Sequence, residues 1–253
     1  MDIFQAIIIG IIEGFTEFLP ISSTGHMIVA SKFMGIEESN LMKAYEVIIQ
    51  FSAILAVAVI YRDKFHISHL ELWKKLILAF LPLAIVGFLL KDYIKMLFSV
   101  EVVAVMFIVG GVIFLIVEKF HKEKEDSIKN IDDITYKQAF IIGLAQILSL
   151  IPGTSRAGAT IIGGLLVGLN REMSASFSFL LAIPVMSAVS GYDLLKHYQD
   201  FSNINILPFV IGFIVSFIVA YITIKLFLAF LHRFTFVIFG IYRIIFGIIL
   251  LSL

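Results

Sequence analysis

Six stretches of the chain, roughly 44–61, 75–93, 101–118, 173–193, 206–230 and 234–253, are apolar and nearly free of charge through their middles. A bilayer core of about 30 Å needs about 20 helical residues, fewer where flanking side chains snorkel, and each stretch approaches that length. The exceptions are Lys225, near the end of one stretch, and Arg243, inside the last. Charged residues make up 15% of the 253 residues, against about 25% in a soluble domain. That deficit runs the whole length of the chain, so one anchor helix does not account for it. Trp73 stands beside Lys74 and Lys75, a pairing expected at a membrane–water interface. The sequence therefore predicts an all-α polytopic membrane protein with six transmembrane helices. A formal net charge of zero gives no electrostatic reason to expect a nucleic-acid partner. The absence of cysteine removes thiol catalysis and thiolate metal sites. Met1-Asp2-Ile3-Phe4 lacks a basic region and is not read as a cleaved signal.

Two further segments are apolar overall but poor as spans. Residues 3–35 contain Glu13, Glu17, Pro20, Ser22, Ser23, Thr24 and His26; residues 137–169 contain Gln146, Pro152, Thr154, Ser155, Arg156 and Thr160. Proline splits each into two runs of about 15 residues, which as helix reach only about 22 Å. Each is expected to be a re-entrant hairpin, tolerated at membrane depth only inside protein or along a wet cavity. The two also resemble each other. Gln5-Ala6-Ile7-Ile8-Ile9-Gly10 matches Gln138-Ala139-Phe140-Ile141-Ile142-Gly143, and Glu13 aligns with Gln146. After a one-residue gap Pro20 aligns with Pro152 and Ser23 with Ser155. One hairpin plus three crossings, occurring twice, predicts an inverted-topology repeat within a single membrane domain: residues 1–118, a polar link 119–136, and residues 137–253. Interrupted segments at matching places in inverted halves point to a central binding site. Basic residues concentrate in the 62–75 link (Arg62, Lys64, Lys74, Lys75) and the link between halves (Lys119, Lys122, Lys124, Lys129, Lys137). The alternate links hold only Lys91, Lys95 and Lys196. The rich links are expected in the cytoplasm, with the first hairpin opening outward and the second inward.

The first hairpin reads Glu13-Gly14-Phe15-Thr16-Glu17-Phe18-Leu19-Pro20-Ile21-Ser22-Ser23-Thr24-Gly25-His26. Glu13 and Glu17 are four apart and share a helix face. Two carboxylates at membrane depth are costly unless paired or metal-bound, and hard oxygen ligands suit Mg²⁺ or Ca²⁺. Ser22, Ser23 and Thr24 stand where the return helix starts. They can cap it, and its free N–H groups form an anion site. Ser23 is also a candidate nucleophile and His26 a candidate acid or base. The second hairpin offers Pro152-Gly153-Thr154-Ser155-Arg156-Ala157-Gly158-Ala159-Thr160. Gly153 allows close backbone approach, and the Arg156 fork matches phosphate oxygens. The competing reading is that Arg156 only neutralises Glu13 or Glu17. Gly164 and Gly168 have the spacing of a helix-packing pair. Together these groups suit a phosphorylated ligand with a lipid tail, a divalent metal and a proton-transfer residue.

At these residues the sequence closely resembles the undecaprenyl-diphosphate phosphatase family of the bacitracin-resistance type. Both motifs carry the resemblance, as do Glu46-Val-Ile-Ile-Gln50 and Asn170-Arg171-Glu172, and it extends over nearly the whole chain. It implies six spanning helices, two re-entrant helix pairs, and hydrolysis of a C55 polyprenyl diphosphate to the monophosphate carrier used for cell-wall precursors. Bacitracin resistance follows, because the antibiotic captures the diphosphate. The resemblance assigns Glu13 and Glu17 as metal or acid–base carboxylates, Ser23 as nucleophile and His26 as its partner. Arg156 becomes the diphosphate clamp, helped by Thr154, Ser155 and Thr160, with Ser22, Thr24 and Gly153 lining the substrate site. A metal-activated water would use the same groups. The expected location is the bacterial plasma (inner) membrane, multi-pass, among membrane lipids, with the active site facing outward; a homodimer is left open. The alternative is a transporter or flippase of the polyprenyl phosphate carrier, an architecture that also uses inverted repeats with broken helices.

Overall fold

A computed structural model describes residues 1–37, 39–121, 127–197 and 205–252. Lys122 and Lys124, counted above in the basic link, lie outside the described residues. The chain is all helix: α1 Ile3–Thr16, α2 Ser23–Phe33, α3 Asn40–Ile60, α4 Leu70–Leu89, α5 Lys91–Met96, α6 Val100–Phe120, α7 Tyr136–Gln146, α8 Arg156–Leu166, α9 Arg171–His197, α10 Ile206–Leu231 and α11 Val237–Leu251. Among the described residues, five helices are long and apolar enough to cross a membrane: α3, α4 with the turn before it, α6, α9 and α10. They coincide with five of the six expected spans. The sixth forms α11, which has only 15 residues and so is about 22 Å long.

Local chemistry sets the helix ends. Asp2 caps α1 and Thr135 caps α7, each with a reciprocal bond from the glutamine three residues on, Gln5 and Gln138. Ser39, Ser99 and Asn205 cap α3, α6 and α10 through their side chains. Each such bond satisfies an amide N–H that has no intrahelical partner. Outward faces are apolar: Ile214, Ile218, Ile222 and Leu226 form an exposed stripe along α10 at helical spacing. Inward faces are lined with small residues, which let backbones approach where lipid gives no hydrophobic drive to associate.

The two odd segments are helical hairpins, α1–α2 and α7–α8. Each is closed by one glutamine: Gln5 donates to the Met34 carbonyl at 3.3 Å and Gln138 to the Val167 carbonyl at 2.9 Å. Each breaks at a serine with positive φ, Ser22 at 66° and Ser155 at 73°, and each ends on a left-handed glycine, Gly35 or Gly168. Every one of these pairs, from Asp2 and Thr135 to Gly35 and Gly168, is separated by the same 133 positions. The gap-free structural register differs from the pairing of the prolines. It sets Pro20 against Gly153, Ser22 against Ser155, and Ser23 against Arg156. The prolines attract a sequence alignment because they break helices. The landmark that the backbone shares is instead the positive-φ residue heading the return helix. Gly168 is corrected too: it lies beyond α8, in the left-handed turn, with no heavy atom near its would-be Cβ, so it packs no helix. Gly164 does pack, against Ser174.

The two basic-rich links meet. The Asp132 carboxylate accepts Lys64 Nζ at 3.1 Å and His69 Nδ1 at 3.0 Å, and its carbonyl accepts Lys75 Nζ at 2.9 Å. Trp73, the expected interface residue, donates to the Lys64 carbonyl at 2.7 Å. Ile128 bonds the backbone of Gly168 and Asn170, so both ends of the second hairpin lie at this same link.

Candidate active site

The two hairpins bring the predicted residues into one chain of hydrogen bonds. Glu17 follows α1, Ser23 opens α2 and Arg156 opens α8. Ser23 Oγ donates to Glu17 Oε2 at 2.5 Å, and Arg156 Nη2 donates to Glu17 Oε1 at 2.8 Å. Only 9% of the Glu17 side chain and 11% of the Arg156 side chain are exposed, so little water screens the pair. Arg156 Nη1 donates to the Ser178 carbonyl at 2.9 Å, and its guanidinium lies 5.8 Å over the Phe18 ring. Its Nε is buried with no hydrogen-bond partner among the described residues. Thr160 donates to Ser178 Oγ at 2.7 Å, which places α9 behind the arginine.

The hydroxyls divide. Ser155 behaves as a cap, its Oγ accepting the Gly158 N–H at 3.1 Å. Ser22, at the equivalent position, makes no side-chain cap bond, so simple capping does not explain it. Thr154 Oγ1 is buried without a partner among the described residues. Thr24 is half-buried just inside α2, and Gly153 is buried in the break at φ 89°.

His26 sits on the same return helix, but both its ring nitrogens are engaged away from Ser23. Nδ1 lies 2.7 Å from the Ser22 carbonyl and Nε2 lies 2.6 Å from the Tyr242 hydroxyl. A carbonyl only accepts, so Nδ1 carries the proton. In the neutral ring Nε2 then accepts from the Tyr242 O–H. Phe246 stacks on the ring at 4.5 Å. The group that meets the Ser23 hydroxyl is therefore Glu17, and His26 presents Nε2 toward α11.

Glu13 is fully buried, and neither of its oxygens has a hydrogen-bond partner among the described residues. It feels the charges of Glu17 and Glu46 and of Arg156. No group of three His, Cys, Asp or Glu able to hold a metal occurs among the described residues. Glu17 has both oxygens committed, so Glu13 is the carboxylate that fits a hard cation. One or two carboxylates supplemented by substrate phosphates is a usual Mg²⁺ arrangement.

A cavity of about 760 Å³ runs from His26 and Tyr242 between α1, α2, α10 and α11. Its walls are almost wholly apolar, including Phe15, Leu19, Phe227, Phe239 and Phe246. Ile11, Phe15, Leu226 and Ile238 line it and are also exposed on the outer face, so it opens toward the lipid side. Three site residues were not picked out from sequence. Tyr242 and Ser178 sit inside apolar spans, where nothing but a hydroxyl distinguishes them. Arg243 stood out as a buried charge in such a span, but with no role.

Fold and site together define a multi-pass membrane protein that presents a buried carboxylate–serine–guanidinium chain beside a lipid-facing apolar cavity. Residues 6–249 match the family model described as bacitracin resistance protein BacA, and the chain belongs to that family. It is 71% identical over its whole length, and that of the relative, to an undecaprenyl-diphosphatase of Sulfurovum sp.. It is 65% identical to the undecaprenyl-diphosphatase of Sulfurimonas denitrificans, covering 99% of this chain and 98% of the relative. It is 60% identical to undecaprenyl-diphosphatase 2 of Pseudoalteromonas translucida, covering 100% and 99%.

Proposed function

We propose that this chain hydrolyses undecaprenyl diphosphate to undecaprenyl phosphate and inorganic phosphate in the bacterial plasma membrane. It thereby recycles the lipid carrier for cell-wall synthesis and confers bacitracin resistance. The observation that carries the reading is the Ser23–Glu17–Arg156 chain, whose sequence neighbours Thr16, Leu19, Ile21 and His26 line an apolar cavity open to lipid. The cavity takes the head-proximal part of the polyprenyl tail. The diphosphate takes Arg156, whose free Nε and the Thr154 hydroxyl are buried donors without partners among the described residues.

The resting ion pair then has a mechanistic role beyond neutralisation. While Arg156 holds Glu17, one carboxylate oxygen is committed to the guanidinium. A terminal phosphate that draws the guanidinium away leaves Glu17 with Ser23 alone, as the acceptor of the Ser23 proton. Ser23 Oγ attacks the terminal phosphorus, the anhydride P–O bond breaks and the polyprenyl monophosphate departs. Glu17 passes the Ser23 proton to that departing oxygen, takes a proton from the water that attacks the phosphoserine, and returns it to Ser23 Oγ as the phosphoserine P–O bond breaks and inorganic phosphate leaves. His26, its Nδ1–H held by the Ser22 carbonyl and its Nε2 by the Tyr242 O–H, fixes the start of the return helix beside Ser23. Glu13 would hold Mg²⁺ or Ca²⁺, which when bound offsets charge on the phosphate oxygens.

The broader architecture follows the same reading. The two hairpins are re-entrant, each returning to the side it left, and the halves 1–118 and 137–253 form an inverted repeat about the link 119–136. The closing glutamine bonds and the shared backbone signature support this. With the basic links in the cytoplasm, the first hairpin and the nucleophile face outward.

The test is phosphate release from a polyprenyl diphosphate by purified protein in detergent with Mg²⁺. Turnover that persists in Glu17→Ala, His26→Ala and Arg156→Ala alike would overturn the assignment. The paired hairpins also favour carrier transport as a second reading; a protein that only transports would bind the lipid and release no phosphate.

A further inference from the structure

Arg243 is the largest fully buried side chain among the described residues, with 0% of its surface exposed. A guanidinium at that depth is costly unless its N–H groups are met. Here all the bonds run to main-chain carbonyls. Nη1 donates to Pro20 at 3.0 Å, Nη2 to Gly153 and to Met106, both at 2.9 Å, and Nε to Phe107 at a long 3.4 Å. Its Cζ lies 5.2 Å over the Phe107 ring. Two of these acceptors are special. Pro20 and Gly153 lie in the breaks between α1 and α2 and between α7 and α8, where carbonyls have lost their helical partners. They are also equivalent positions in the 133-residue register. One side chain thus holds the same carbonyl of both hairpins.

The same register pairs Arg243 with Gly110 on α6. A Cβ at Gly110 would stand 2.7 Å from Arg243 Cζ and 3.0 Å from Nε. The two equivalent positions therefore face each other, and the space holds one guanidinium only if its counterpart has no side chain. A planar fork can serve two separated carbonyls at once, whereas an ammonium is a single point donor.

We propose that Arg243 is a positioning residue that locks the two hairpin breaks in register, so that Ser23 with Glu17, and Arg156, converge on one phosphate. The proposal rests on the phosphatase reading above for its catalytic arm. Only two residues separate Pro20 from Ser23 and Gly153 from Arg156, so slippage of either break moves a reacting group directly.

The experiment compares full-length wild type with Arg243→Lys and Gly110→Ala in detergent, by phosphate-release kinetics and by amide hydrogen exchange. Arg243→Lys keeps a charge and donors but cannot span both carbonyls. Its kcat is expected to fall about 10²-fold, the cost of a misplacement near 1 Å, with KM changed less than about threefold. Amides at 18–26 and 151–159 are expected to exchange at least about tenfold faster, while those in the middle of α10 stay at the wild-type rate. Gly110→Ala pushes on the guanidinium without removing it and is expected to give the same pattern, more weakly. The proposal is overturned if folded Arg243→Lys keeps kcat within about threefold of wild type. It is equally overturned if α10 loosens as much as the breaks, or if no variant folds, since Arg243 would then serve stability alone. Should wild type release no phosphate, the phosphatase reading fails, and the exchange data still decide whether Arg243 holds the two breaks.

Discussion

Glu17 divides its two oxygens between a hydroxyl and a guanidinium, and this division separates its role from that of Glu13. Glu17→Gln keeps the volume and the hydrogen-bonding capacity but removes the base. Steady-state kinetics should show kcat lower by about 10²–10⁴-fold, the usual contribution of a positioned base, with a smaller change in KM. Glu13→Gln, in contrast, removes charge from a carboxylate with no hydrogen-bond partner among the described residues. It should raise the Mg²⁺ concentration needed for half-maximal activity in a metal titration, with activity largely restored at saturation. Ser22 carries a third expectation through its backbone. At φ 66° a side chain is strained by about 1–3 kcal/mol, which glycine avoids. Thermal unfolding should find Ser22→Gly as stable as wild type or more so, and Ser22→Val clearly less stable. Glu17, Ser23 and Arg156 were legible because rare polar residues in apolar runs leave few alternatives. Their pairing was not. Proximity in sequence favoured His26 for Ser23, whereas the helix start at Ser23 turns the hydroxyl back toward Glu17. Tyr242, which engages His26 Nε2, lies 216 positions away.

The short last helix, α11, shows how an element can be read correctly in outline and missed in role. Its apolar run marks a span, but it places two consecutive side chains on the site, Tyr242 on His26 and Arg243 on both hairpin breaks. It can do so because glycines line its contact with α6: Gly111 packs on the Gly240 carbonyl and Gly247 on that of Ala104. The hairpins were visible as elements too, through proline and polar clusters, but their register was set by backbone dihedrals that no residue type announces. At the links, charge counting located a basic side without revealing the acidic residue that gathers it. Burial works to raise the Asp132 carboxyl, but hydrogen bonds from His69 and Lys64 outweigh it and hold the group below its ordinary value of 3.8. A depressed folded value means that this contribution to stability is complete above about pH 4 and is lost as pH falls through the lower folded value. Asp132→Asn should therefore lower the unfolding temperature at pH 7, and the gap to wild type should close below pH 4. A gap that widened on acidification would rule out this sign.

Across the whole molecule, contacts between the halves dominate the packing. Helix α1 of the first half lies on α10 of the second, and α7 of the second lies on α4 of the first; α6 pairs with α11, and α3 lies against both α9 and α10. The exchange is reciprocal at residue level. Gly10 packs its face on the Gly212 carbonyl, and Gly143, its equivalent, packs on the backbone of Ala79, the equivalent of Gly212. Neither half buries its own hairpin alone: α1 and α7 are received by helices of the other half, while α8 also packs on α9 of its own. The active chain is split in the same way, with Glu17 and Ser23 from one half and Arg156 from the other. If the helices carry this mutual burial, the covalent link between halves is dispensable once both are in the membrane. Co-expressed fragments 1–121 and 127–253 should therefore co-purify in detergent and release phosphate from the polyprenyl diphosphate, while either fragment alone should be inactive and poorly extracted. Gly10→Leu or Gly143→Leu in the corresponding fragment should abolish co-purification, because each places a large side chain against the backbone of the opposite half. Fragments that fold separately but never associate would show instead that the link itself holds the halves together.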